Sequence, residues 1–393
     1  MFGEIMLKIE SLDHSFRGIA RLNGKIVFVK NSLPNEIVEI KINKEKKNFI
    51  EASVLKYIKI SDERIKPKCK YFGFCGGCDI MHLSYNNQLK YKQEKIKNIV
   101  NKYLNEDIKI NNIIYDNNLN YRNKIKFQVN KTLGLYKNES YEIIPVDCCL
   151  ITNNIINKSI PYLNKLDLNN ISSIICRTAS GKLMISIESK KDIKIDSLLD
   201  IADSIYVNNR HVYGDKKLIE KLGEYKFVIS ENSFFQVNKN VCIKLYDKIK
   251  EYVGTDHNIL DLYCGCGSIG IYVNNNNKIL GVEINKSAVE DAKENKKINK
   301  LSNVDFICGD SSIKTNFKPD IVIVDPPRSG LNKKTIDNII KLKPKKIIYV
   351  SCNPMTLVRD LNKFELYNIL ELTPFDMFPN TKHVECVCVL KLK

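Results

Sequence analysis

The stretch "DLYCGCGSIG", residues 261–270, decides the fold of this 393-residue chain. Its glycines Gly265, Gly267 and Gly270 satisfy the pattern G-x-G-x-x-G between a strand-like run and a helical run. Glycines at this spacing let the backbone come close to a nucleotide-bearing ligand at the turn that follows the first strand of an α/β sheet. A loop built only for tight packing satisfies the same pattern, so its meaning depends on the segments around it.

Strand-like and helix-like segments alternate around this loop. The strand-like runs are "NILDLY", "KILGVE", "VDFICGD", "DIVIVDPP" and "KKIIYVSC", separated by helical stretches such as "KSAVEDAKENKKIN" and "NKKTIDNIIKL". This alternation is typical of a parallel sheet with helices on both faces. We therefore predict a Rossmann-like α/β domain over residues 230–393, closed by the strand pair "NILELTPFDMF" and "VECVCVLKLK".

The ends of the predicted strands carry the reactive side chains. Glu283 ends "KILGVE", where an acid can bind two ribose hydroxyls, Asp325 begins "DPPRSG", and Cys352 lies in "SCNP". Open α/β sheets bind their ligands at the carboxyl ends of the strands. The glycine loop fits either a dinucleotide such as NAD or S-adenosylmethionine. Hydride transfer has no evident need for Cys352 beside Asp325, whereas a methyltransferase that forms a covalent adduct needs such a nucleophile.

Burial is the alternative interpretation of Cys352, because cysteine is among the residue types most often found in protein cores. The octapeptide "YVSCNPMT", residues 349–356, does not by itself show a reactive thiol. Burial is also what we expect for the cysteines that no motif explains, namely Cys176, Cys242, Cys264, Cys266, Cys308, Cys386 and Cys388.

A second group of cysteines predicts a metal site. Cys69, Cys75 and Cys78 lie within ten residues, among glycines that let the backbone wrap around an ion. Thiolate clusters in a reducing compartment usually hold zinc or an iron–sulfur cluster. The fourth ligand is Cys148 or Cys149 of "PVDCCLI", and spacing alone does not separate zinc from a 4Fe–4S cluster.

The amino-terminal part reads as a small β domain. Residues 5–59 contain several short strands, and the turn at Asn23-Gly24 marks a hairpin. Such a run suggests an OB-like barrel that binds oligonucleotides, or an ordinary β domain with no ligand. We predict three domains over residues 1–60, 61–229 and 230–393, with a helix near residues 84–104 that begins after Ser84.

Charge and composition point to a nucleic-acid partner. The chain has 62 Lys and Arg against 45 Asp and Glu, a net charge of +17, which suits a phosphate backbone. The chain is rich in Lys, Asn and Ile, so the alternative interpretation is that compositional drift, and not RNA binding, accounts for many of the lysines. No apolar run is long enough to span a membrane, and the first residues lack the features of a signal peptide, so we expect a cytoplasmic protein without a membrane.

One basic stretch is a candidate for holding RNA. The run "YRNKIKF", residues 121–127, interleaves Arg122, Lys124 and Lys126 with aromatic residues. Such residues hold a nucleic-acid backbone and its bases, and a solvated strand face gives the same pattern. Within this run Arg122 is the strongest candidate.

Taken in order along the chain, the motifs match a known family. They are C-x5-C-x2-C, "FFQVN", "DLYCGCGSIG", "GVE", "DPPRSG", "SCNP" and "HVEC". The series resembles the RNA 5-methyluridine methyltransferases, in particular the 23S rRNA (uracil-5-)-methyltransferases that carry an iron–sulfur cluster. The resemblance covers essentially the whole chain, and the amino-terminal domain looks like the TRAM domain of that family, an OB-like RNA-binding module.

The resemblance implies a cofactor, a cluster and a set of site residues. It assigns S-adenosylmethionine to four cofactor-binding residues, Gln236, Tyr263, Glu283 and Asp325. It makes Cys352 the nucleophile and Glu385 the proton acceptor. It implies a 4Fe–4S cluster on Cys69, Cys75, Cys78 and one of the doubled cysteines, and the register of the surrounding apolar residues favours Cys149.

The reaction explains why these residue types are needed. Addition of a thiolate to carbon 6 of uracil makes carbon 5 nucleophilic enough to take a methyl group. A base then removes the proton of carbon 5 so that the thiolate can leave, and Glu385, among apolar neighbours, suits that role as a carboxylate of raised pKa. A strand-surface acid is the alternative interpretation of Glu385.

Three other functions remain open from the sequence. A tRNA (uracil-5-)-methyltransferase shares the catalytic motifs, although the barrel and cluster favour 23S rRNA. A non-catalytic RNA-binding metalloprotein would leave Cys352, Asp325 and Glu385 without a role. A nucleotide-dependent redox enzyme would use the glycine loop alone. No obligate protein partner is evident.

Overall fold

The computed structural model describes residues 5–104, 107–313 and 315–393. These residues form two compact units, which we call unit 1 and unit 2. Unit 1 takes in the described chain up to Lys95 together with Tyr136–Ile144 and Asn380–Lys382, and unit 2 takes in the described residues of Ile96–Leu135, Pro145–Pro379 and His383–Lys393.

Unit 1 begins with a six-stranded sheet of order β1-β5-β6-β4-β3-β2. The strands are β1 (Ile5–Lys8), β2 (Ser11–Leu12), β3 (Gly18–Leu22), β4 (Lys25–Lys30), β5 (Ile37–Glu45) and β6 (Phe49–Lys59). Alternate side chains, among them Val27, Val29 and Val38, form its buried core. This sheet occupies the place of the predicted OB-like barrel, and across the described strands its order does not close into a ring.

The predicted hairpin at Asn23-Gly24 is confirmed. Leu22 pairs with Lys25, so the turn between β3 and β4 has two residues. Both turn residues have positive φ, +47° at Asn23 and +77° at Gly24. This is the geometry of a type I′ turn, whose twist matches that of the strands, and asparagine followed by glycine tolerates it best.

Helix α1 (Tyr85–Tyr103) begins after Ser84, as predicted. The hydroxyl of Ser84 accepts a hydrogen bond from the backbone N–H of Asn87 at 3.3 Å, which satisfies one of the unpaired amides of the first turn. Residues of α1 from Ile96 onward belong to unit 2. There Ile96, Ile99 and Val100 are buried in the core of the α/β sheet.

Unit 2 contains a mostly antiparallel sheet that follows α1 along the chain. Leaving aside β10, most of which belongs to unit 1, its strands have the order β9-β8-β11-β12-β13-β14, and β15 and β16 form a separate hairpin. Between α1 and residue 230 the elements in chain order are β7 (Lys109–Ile110), β8 (Lys124–Val129), β9 (Leu133–Tyr136), β10 (Ile143–Pro145), α2 (Asn154–Leu163), β11 (Ile171–Ala179), β12 (Lys182–Ser189), a 3₁₀ turn at Asp196–Leu198, β13 (Ser204–Val207), β14 (Arg210–Gly214), β15 (Leu218–Leu222) and β16 (Tyr225–Ile229).

The second part of unit 2 is the predicted α/β domain. Its elements are α3 (Lys239–Val253), β17 (Asn258–Leu262), α4 (Ser268–Tyr272), β18 (Lys278–Glu283), α5 (Lys286–Ile298), β19 (Val304–Cys308), β20 (Ile321–Val324), α6 (Lys333–Leu342), β21 (Lys346–Ser351), α7 (Pro354–Leu361), β22 (Tyr367–Phe375) and β23 (Glu385–Leu392). Among the described residues, the seven strands of this segment and the earlier β7 build an eight-stranded sheet of order β19-β18-β17-β20-β21-β23-β22-β7.

The strand order explains where a ligand can bind. Strands β17 to β21 are parallel, and the direction of the connections reverses at β17, which pairs with β18 on one side and β20 on the other. Open α/β sheets leave a crevice outside the carboxyl ends of the strands at such a reversal. Strand β23 runs antiparallel between β21 and β22.

The central strands are apolar on both faces because helices cover both. In β20, Ile321 and Ile323 belong to one buried cluster, while Val322 and Val324 belong to the other. Such continuous apolar runs are typical of buried parallel strands. The three-domain division at residues 60 and 229 stays a prediction from the sequence. Within the described residues, no helix combines the length and apolar character of a membrane span.

Candidate active site at the carboxyl ends of the strands

The glycine loop after β17 leaves open space for a ligand. Tyr263, Gly265 and Gly267 all have positive φ, which turns the chain sharply into α4. A Cβ placed on Gly265 would meet no atom within 4 Å, so the loop backbone faces free volume there. At Gly267 the same Cβ would lie 2.4 Å from the ring of Phe306, so only glycine fits.

Glu283, the last residue of β18, lies against this loop. Its Oε2 accepts a hydrogen bond from the backbone N–H of Gly265 at 3.1 Å, and its Oε1 accepts one from Asn285 at 2.8 Å. These contacts fix the carboxylate at the mouth of the crevice. A carboxylate beside an open glycine turn suits the ribose of a nucleoside cofactor.

Tyr263 is anchored by hydroxyl groups of unit 2. Its phenolic oxygen accepts a hydrogen bond from Ser311 at 2.9 Å and lies 3.3 Å from the hydroxyl of Thr335. Ser311 and Thr335 are themselves 2.6 Å apart. The ring is therefore held next to the glycine loop by a small hydroxyl network.

Gln236 lies on the loop of residues 230–237, which two buried side chains clamp. Arg177 donates hydrogen bonds to the carbonyl oxygens of Ser230 and Ser233, at 3.2 and 2.6 Å. The carboxylate of Asp291 accepts from the hydroxyls of the same two serines, at 2.6 and 2.7 Å. Sequence reasoning missed both Arg177 and Asp291, since neither belongs to a motif and their contacts join distant segments.

A polar cleft of about 540 Å³ lies on unit 2 beside this loop. Asparagines dominate its walls, and Asn238, two residues after Gln236, is one of them. The backbone carbonyl of Gln236 accepts a hydrogen bond from Asn123, another wall residue, at 3.0 Å. Tyr263, Glu283 and Asp325 do not line the cleft, so it is separate from the crevice at the strand ends.

Asp325 follows β20 directly and lies next to the glycine loop. Its backbone N–H donates to the carbonyl of Leu262 at 3.4 Å, across to β17. Burial raises the pKa of the Asp325 carboxyl to about 7. Near neutral pH this group therefore exists as a mixture of acid and carboxylate.

The pairing of β21 with β23 brings Cys352 and Glu385 together. Ser351 and Cys386 are the last pair of the antiparallel register, and Cys352 and Glu385 are the next residues on the two segments, where the charge of Glu385 acts on the Cys352 thiol. Glu385 is only 3% exposed, and Cys352 is half-buried. The strand therefore places the thiol and the carboxyl side by side at the same edge of the sheet as Asp325.

The electrostatics of this pair follow from burial. Burial, and then the charge of Glu385, raises the pKa of the Cys352 thiol to about 11, and the guanidinium of Arg328 opposes the shift. Burial and the neighbouring Asp325 raise the pKa of Glu385 well above its usual range. Without a bound substrate, Cys352 is therefore a thiol.

Arg328 is a site residue that sequence reasoning did not single out. Its guanidinium lowers the pKa of the Cys352 thiol, and its Nη2 lies 3.4 Å from Nε2 of His383. Its backbone carbonyl accepts from Asn353 at 3.2 Å, which ties its loop to the start of α7. Its place in "DPPRSG", three residues after Asp325, was the available signal.

The fully buried carboxylate of Asp360 holds the loop that carries Arg328. It accepts hydrogen bonds from the backbone N–H of Leu331 at 2.8 Å and from the hydroxyl of Tyr349 at 2.9 Å. Arg359 donates to its other oxygen at 2.9 Å. Since Tyr349 lies on β21 and Leu331 follows the Arg328 loop, Asp360 fixes the loop against the strand that ends at Cys352.

The cysteines of the predicted cluster fall in both units. Cys69, Cys75 and Cys78 lie in a loop of unit 1, where the backbone N–H of Gly77 donates to the sulfur of Cys75 at 3.4 Å. Cys148 and Cys149 belong to unit 2. No three His, Cys, Asp or Glu side chains of the described residues are arranged to hold a metal ion. Cysteine thiolates are the donors that hold iron–sulfur clusters.

Most of the remaining cysteines are buried, as expected. Cys308 is the exception, because it is exposed at the end of β19, opposite Glu283. The expectation of burial is wrong there, since the last residue of an edge strand escapes the cover of the helices.

Asp261 is a buried acid beneath the glycine loop. One oxygen accepts a hydrogen bond from the backbone N–H of Gly270 at 3.1 Å, and the other has no partner among the described residues. Burial, and then the charge of Asp325, raises the pKa of Asp261 to about 8. This carboxyl is therefore mostly protonated at neutral pH.

Comparisons with known proteins place this arrangement in context. Residues 182–314 and 310–393 match the family described as tRNA (uracil-5-)-methyltransferase, and residues 3–55 match the TRAM domain. An uncharacterized RNA methyltransferase of Caldanaerobacter subterraneus is 35% identical over 98% of this chain and 97% of its own length. One from Staphylococcus aureus is 34% identical over the same shares.

A solved structure resembles almost the whole chain. It is the tRNA (uracil-54, C5)-methyltransferase of Pyrococcus abyssi in complex with S-adenosyl-L-homocysteine. The two are 26% identical, with a TM-score of 0.83 over 98% of this chain and all of the other.

The buried carboxyl of Asp261 makes stability depend on pH. Between about pH 4 and pH 8 the unfolded chain loses this proton while the folded protein keeps it, so stability falls as pH rises through that range. Asp261→Asn keeps an oxygen for the N–H of Gly270 and removes the titration. We expect its melting temperature to fall less between pH 5 and pH 8 than that of the wild type, measured by circular dichroism.

The exposed Asp337 provides the control, because Asp337→Asn removes a carboxylate that is not buried. It should follow the wild-type pH profile. An Asp261→Asn profile that also parallels the wild type would contradict the assignment.

Proposed function

This chain belongs to the tRNA (uracil-5-)-methyltransferase family, and on that premise we propose that it methylates carbon 5 of a uridine in 23S rRNA through a covalent bond to Cys352. The proximity of Cys352 and Glu385 just beyond the end of β21 carries the proposal. When a nucleophile and a proton acceptor both lie within hydrogen-bond reach of one base, they can serve opposite steps of one covalent cycle.

The residues around the glycine loop fit S-adenosylmethionine. When bound, this cofactor supplies the methyl group as an electrophilic sulfonium. We assign Glu283 to the ribose hydroxyls, because its carboxylate sits at the open turn of Gly265. The proposed cofactor-binding set also includes Tyr263, Gln236 and Asp325. The hydroxyl network holds Tyr263, the clamped loop carries Gln236, and Asp325 follows β20.

Cys352 begins the cycle by attack on carbon 6 of the uracil. The sulfur–carbon bond forms, the electron pair of the ring double bond moves toward the carbonyl at carbon 4, and carbon 5 becomes the nucleophile. The raised pKa of the thiol means that its proton must pass to solvent before attack, and the neighbouring guanidinium of Arg328 stabilises the thiolate that results. Carbon 5 then takes the methyl group.

Glu385 ends the cycle by removing the proton from carbon 5. The electron pair of that C–H bond re-forms the ring double bond, and the bond to sulfur breaks, which releases the thiolate of Cys352. A carboxylate whose pKa is raised by burial is a stronger base than an exposed one. The target base must leave its stack to reach this pair.

We assign three parts to the chain. Residues 1–60 form the TRAM part for RNA binding, residues 61–229 the central part, and residues 230–393 the catalytic part. The resemblance to cluster-bearing enzymes supports 23S rRNA and a cytoplasmic location. The Pyrococcus relative, named for its tRNA substrate, supports tRNA as the second candidate.

Mapping of 5-methyluridine tests the substrate. In cells that lack the gene, we expect the modification to disappear from 23S rRNA and to return with the wild-type gene but not with Cys352→Ala. The measurement is mass spectrometry of nucleosides from separated 23S rRNA and tRNA. A loss confined to tRNA selects the second candidate, and a loss from neither contradicts the proposed function.

Two variants separate the steps of the cycle. Cys352→Ala should abolish methyl transfer and leave binding of S-adenosylmethionine largely unchanged. Glu385→Gln should still allow attack and methylation but slow release by a factor of about 10² to 10⁴, the usual contribution of a general base. The stalled enzyme–RNA adduct should appear as a shifted band on a denaturing gel and carry label from the methyl donor.

The double variant Cys352→Ala/Glu385→Gln is the control and should show no shifted band. Methylation by Cys352→Ala at a near wild-type rate would make the cysteine a core residue and refute the covalent mechanism.

We also propose a 4Fe–4S cluster on Cys69, Cys75 and Cys78. Three thiols within ten residues, and the N–H···S bond from Gly77 to Cys75, support this assignment. The prediction from the sequence that Cys149 supplies the fourth thiolate is part of the proposal, and we derive no catalytic step from the cluster.

Anaerobic purification tests the cluster. The protein should be brown and contain about four irons per chain, as a cubane cluster on four thiolates requires. Cys149→Ser should lose the iron, and the adjacent Cys148→Ser should keep it. The reverse result would exchange the two assignments, and stoichiometric zinc without iron would refute the cluster.

A further inference from the structure

Lys124, the first residue of β8, carries a charge that the protein does not neutralise. Its side chain is half-buried. Within the described ranges its ammonium group forms neither an ion pair nor a hydrogen bond. Most partly buried lysines have a carboxylate or carbonyl partner, because loss of water without replacement costs free energy.

The neighbours of Lys124 are also cations. In the register of β8 with β11, Lys124 lies directly opposite Arg177. Lys126 follows two residues later on the same face of the strand, and Arg122 donates a hydrogen bond to the carbonyl of Lys124 at 2.9 Å. Burial, and then Arg177, Arg122 and Lys126, lower the pKa of Lys124 to about 8.

Like charges directly opposite each other destabilise a sheet. Arg177 has its own partners, since it donates to the carbonyls of Ser230 and Ser233 and lies near the carboxylate of Asp291. Lys124 has no such compensation. An anion from outside the protein would remove the repulsion.

The position of this group suggests which anion it receives. Through Arg177, it adjoins the loop of residues 230–237 that carries Gln236. It lies on the β8–β11 sheet, and the neighbouring Asn123 donates a hydrogen bond to the carbonyl of Gln236. A flipped base requires a firm hold on the backbone beside it, and phosphate contacts supply that hold.

We propose that Lys124, together with Arg122, binds a backbone phosphate of the RNA beside the target uridine. This inference rests on the proposed function, because it takes RNA as the substrate. The sequence left open whether "YRNKIKF" is a solvated face. The lack of a partner distinguishes Lys124 from Lys182 of β12, which forms an ion pair with Asp215 at 2.6 Å.

The salt dependence of RNA binding tests the proposal. The probe is a fluorescein-labelled 12-nucleotide oligouridylate, and its affinity is measured by fluorescence anisotropy over a series of KCl concentrations. Lys124→Gln should make the log–log slope shallower by about 0.7, the value for one lost phosphate contact on a single strand. Lys124→Arg should keep the wild-type slope, since a guanidinium also binds phosphate.

Lys182→Gln is the matched control, because it removes one positive charge from a lysine that already has an internal partner. It should leave the slope unchanged. Equal slopes for Lys124→Gln, Lys182→Gln and the wild type would overturn the proposal. Weaker binding of S-adenosylmethionine by Lys124→Gln, with an unchanged RNA slope, would also overturn it, because the anion would then be the carboxylate of the cofactor.

Two further measurements keep the result interpretable. Lys124→Gln should melt no lower than the wild type, because it relieves the repulsion with Arg177, and a lower melting temperature would overturn that argument. Methyl transfer is assayed in parallel. A shallower slope in a protein that proves unable to methylate RNA would support the phosphate site while the proposed function fails.

Discussion

The antiparallel pairing of β23 with β21 is the constraint on which the candidate active site depends. Because Ser351 pairs with Cys386 at the end of this register, the next residues, Cys352 and Glu385, come close enough for the charge of Glu385 to act on the thiol. A slip by one residue would turn Glu385 to the other face of the sheet and put an apolar residue beside the thiol. The buried apolar residues on both sides of β23 resist such a slip.

Burial then sets the chemistry that this geometry allows. Burial raises the pKa of Asp261, Asp325 and Glu385, and the charge of Asp325 raises the pKa of Asp261 and of Glu385 further. Removing charge from the resting site lowers the repulsion among the carboxylates. The same burial makes Glu385 a stronger base, while Arg328 is the nearby cation that can stabilise a thiolate.

Local patterns in the sequence predicted much of the fold. The turn at Asn23-Gly24, the start of α1 after Ser84 and the alternation that builds β17 to β21 all depend on neighbouring residues. Nothing local indicated that β23 inserts between β21 and β22, because that order depends on how whole strands pack.

The supporting residues of the site escaped sequence reasoning for the same reason. Arg177 and Asp291 meet only at the loop before Gln236, and Asp360 reaches Leu331 across 29 residues of chain. Strand-end acids and the cysteine could be found because the carboxyl ends of parallel strands meet at one edge. No such rule predicts the sequence positions of the side chains that hold those residues in place.

Trapping with 5-fluorouridine tests the central claim, that Cys352 forms a covalent bond to the target base, most directly. Fluorine at carbon 5 cannot leave as a proton does, so Glu385 cannot complete the cycle and the methylated base stays attached to the enzyme. RNA transcribed with 5-fluorouridine, incubated with the wild-type protein and S-adenosylmethionine, should yield one modified peptide by mass spectrometry, with the nucleotide on Cys352. A nucleotide on another cysteine, such as the exposed Cys308, or no modified peptide despite turnover of ordinary RNA, would contradict the account.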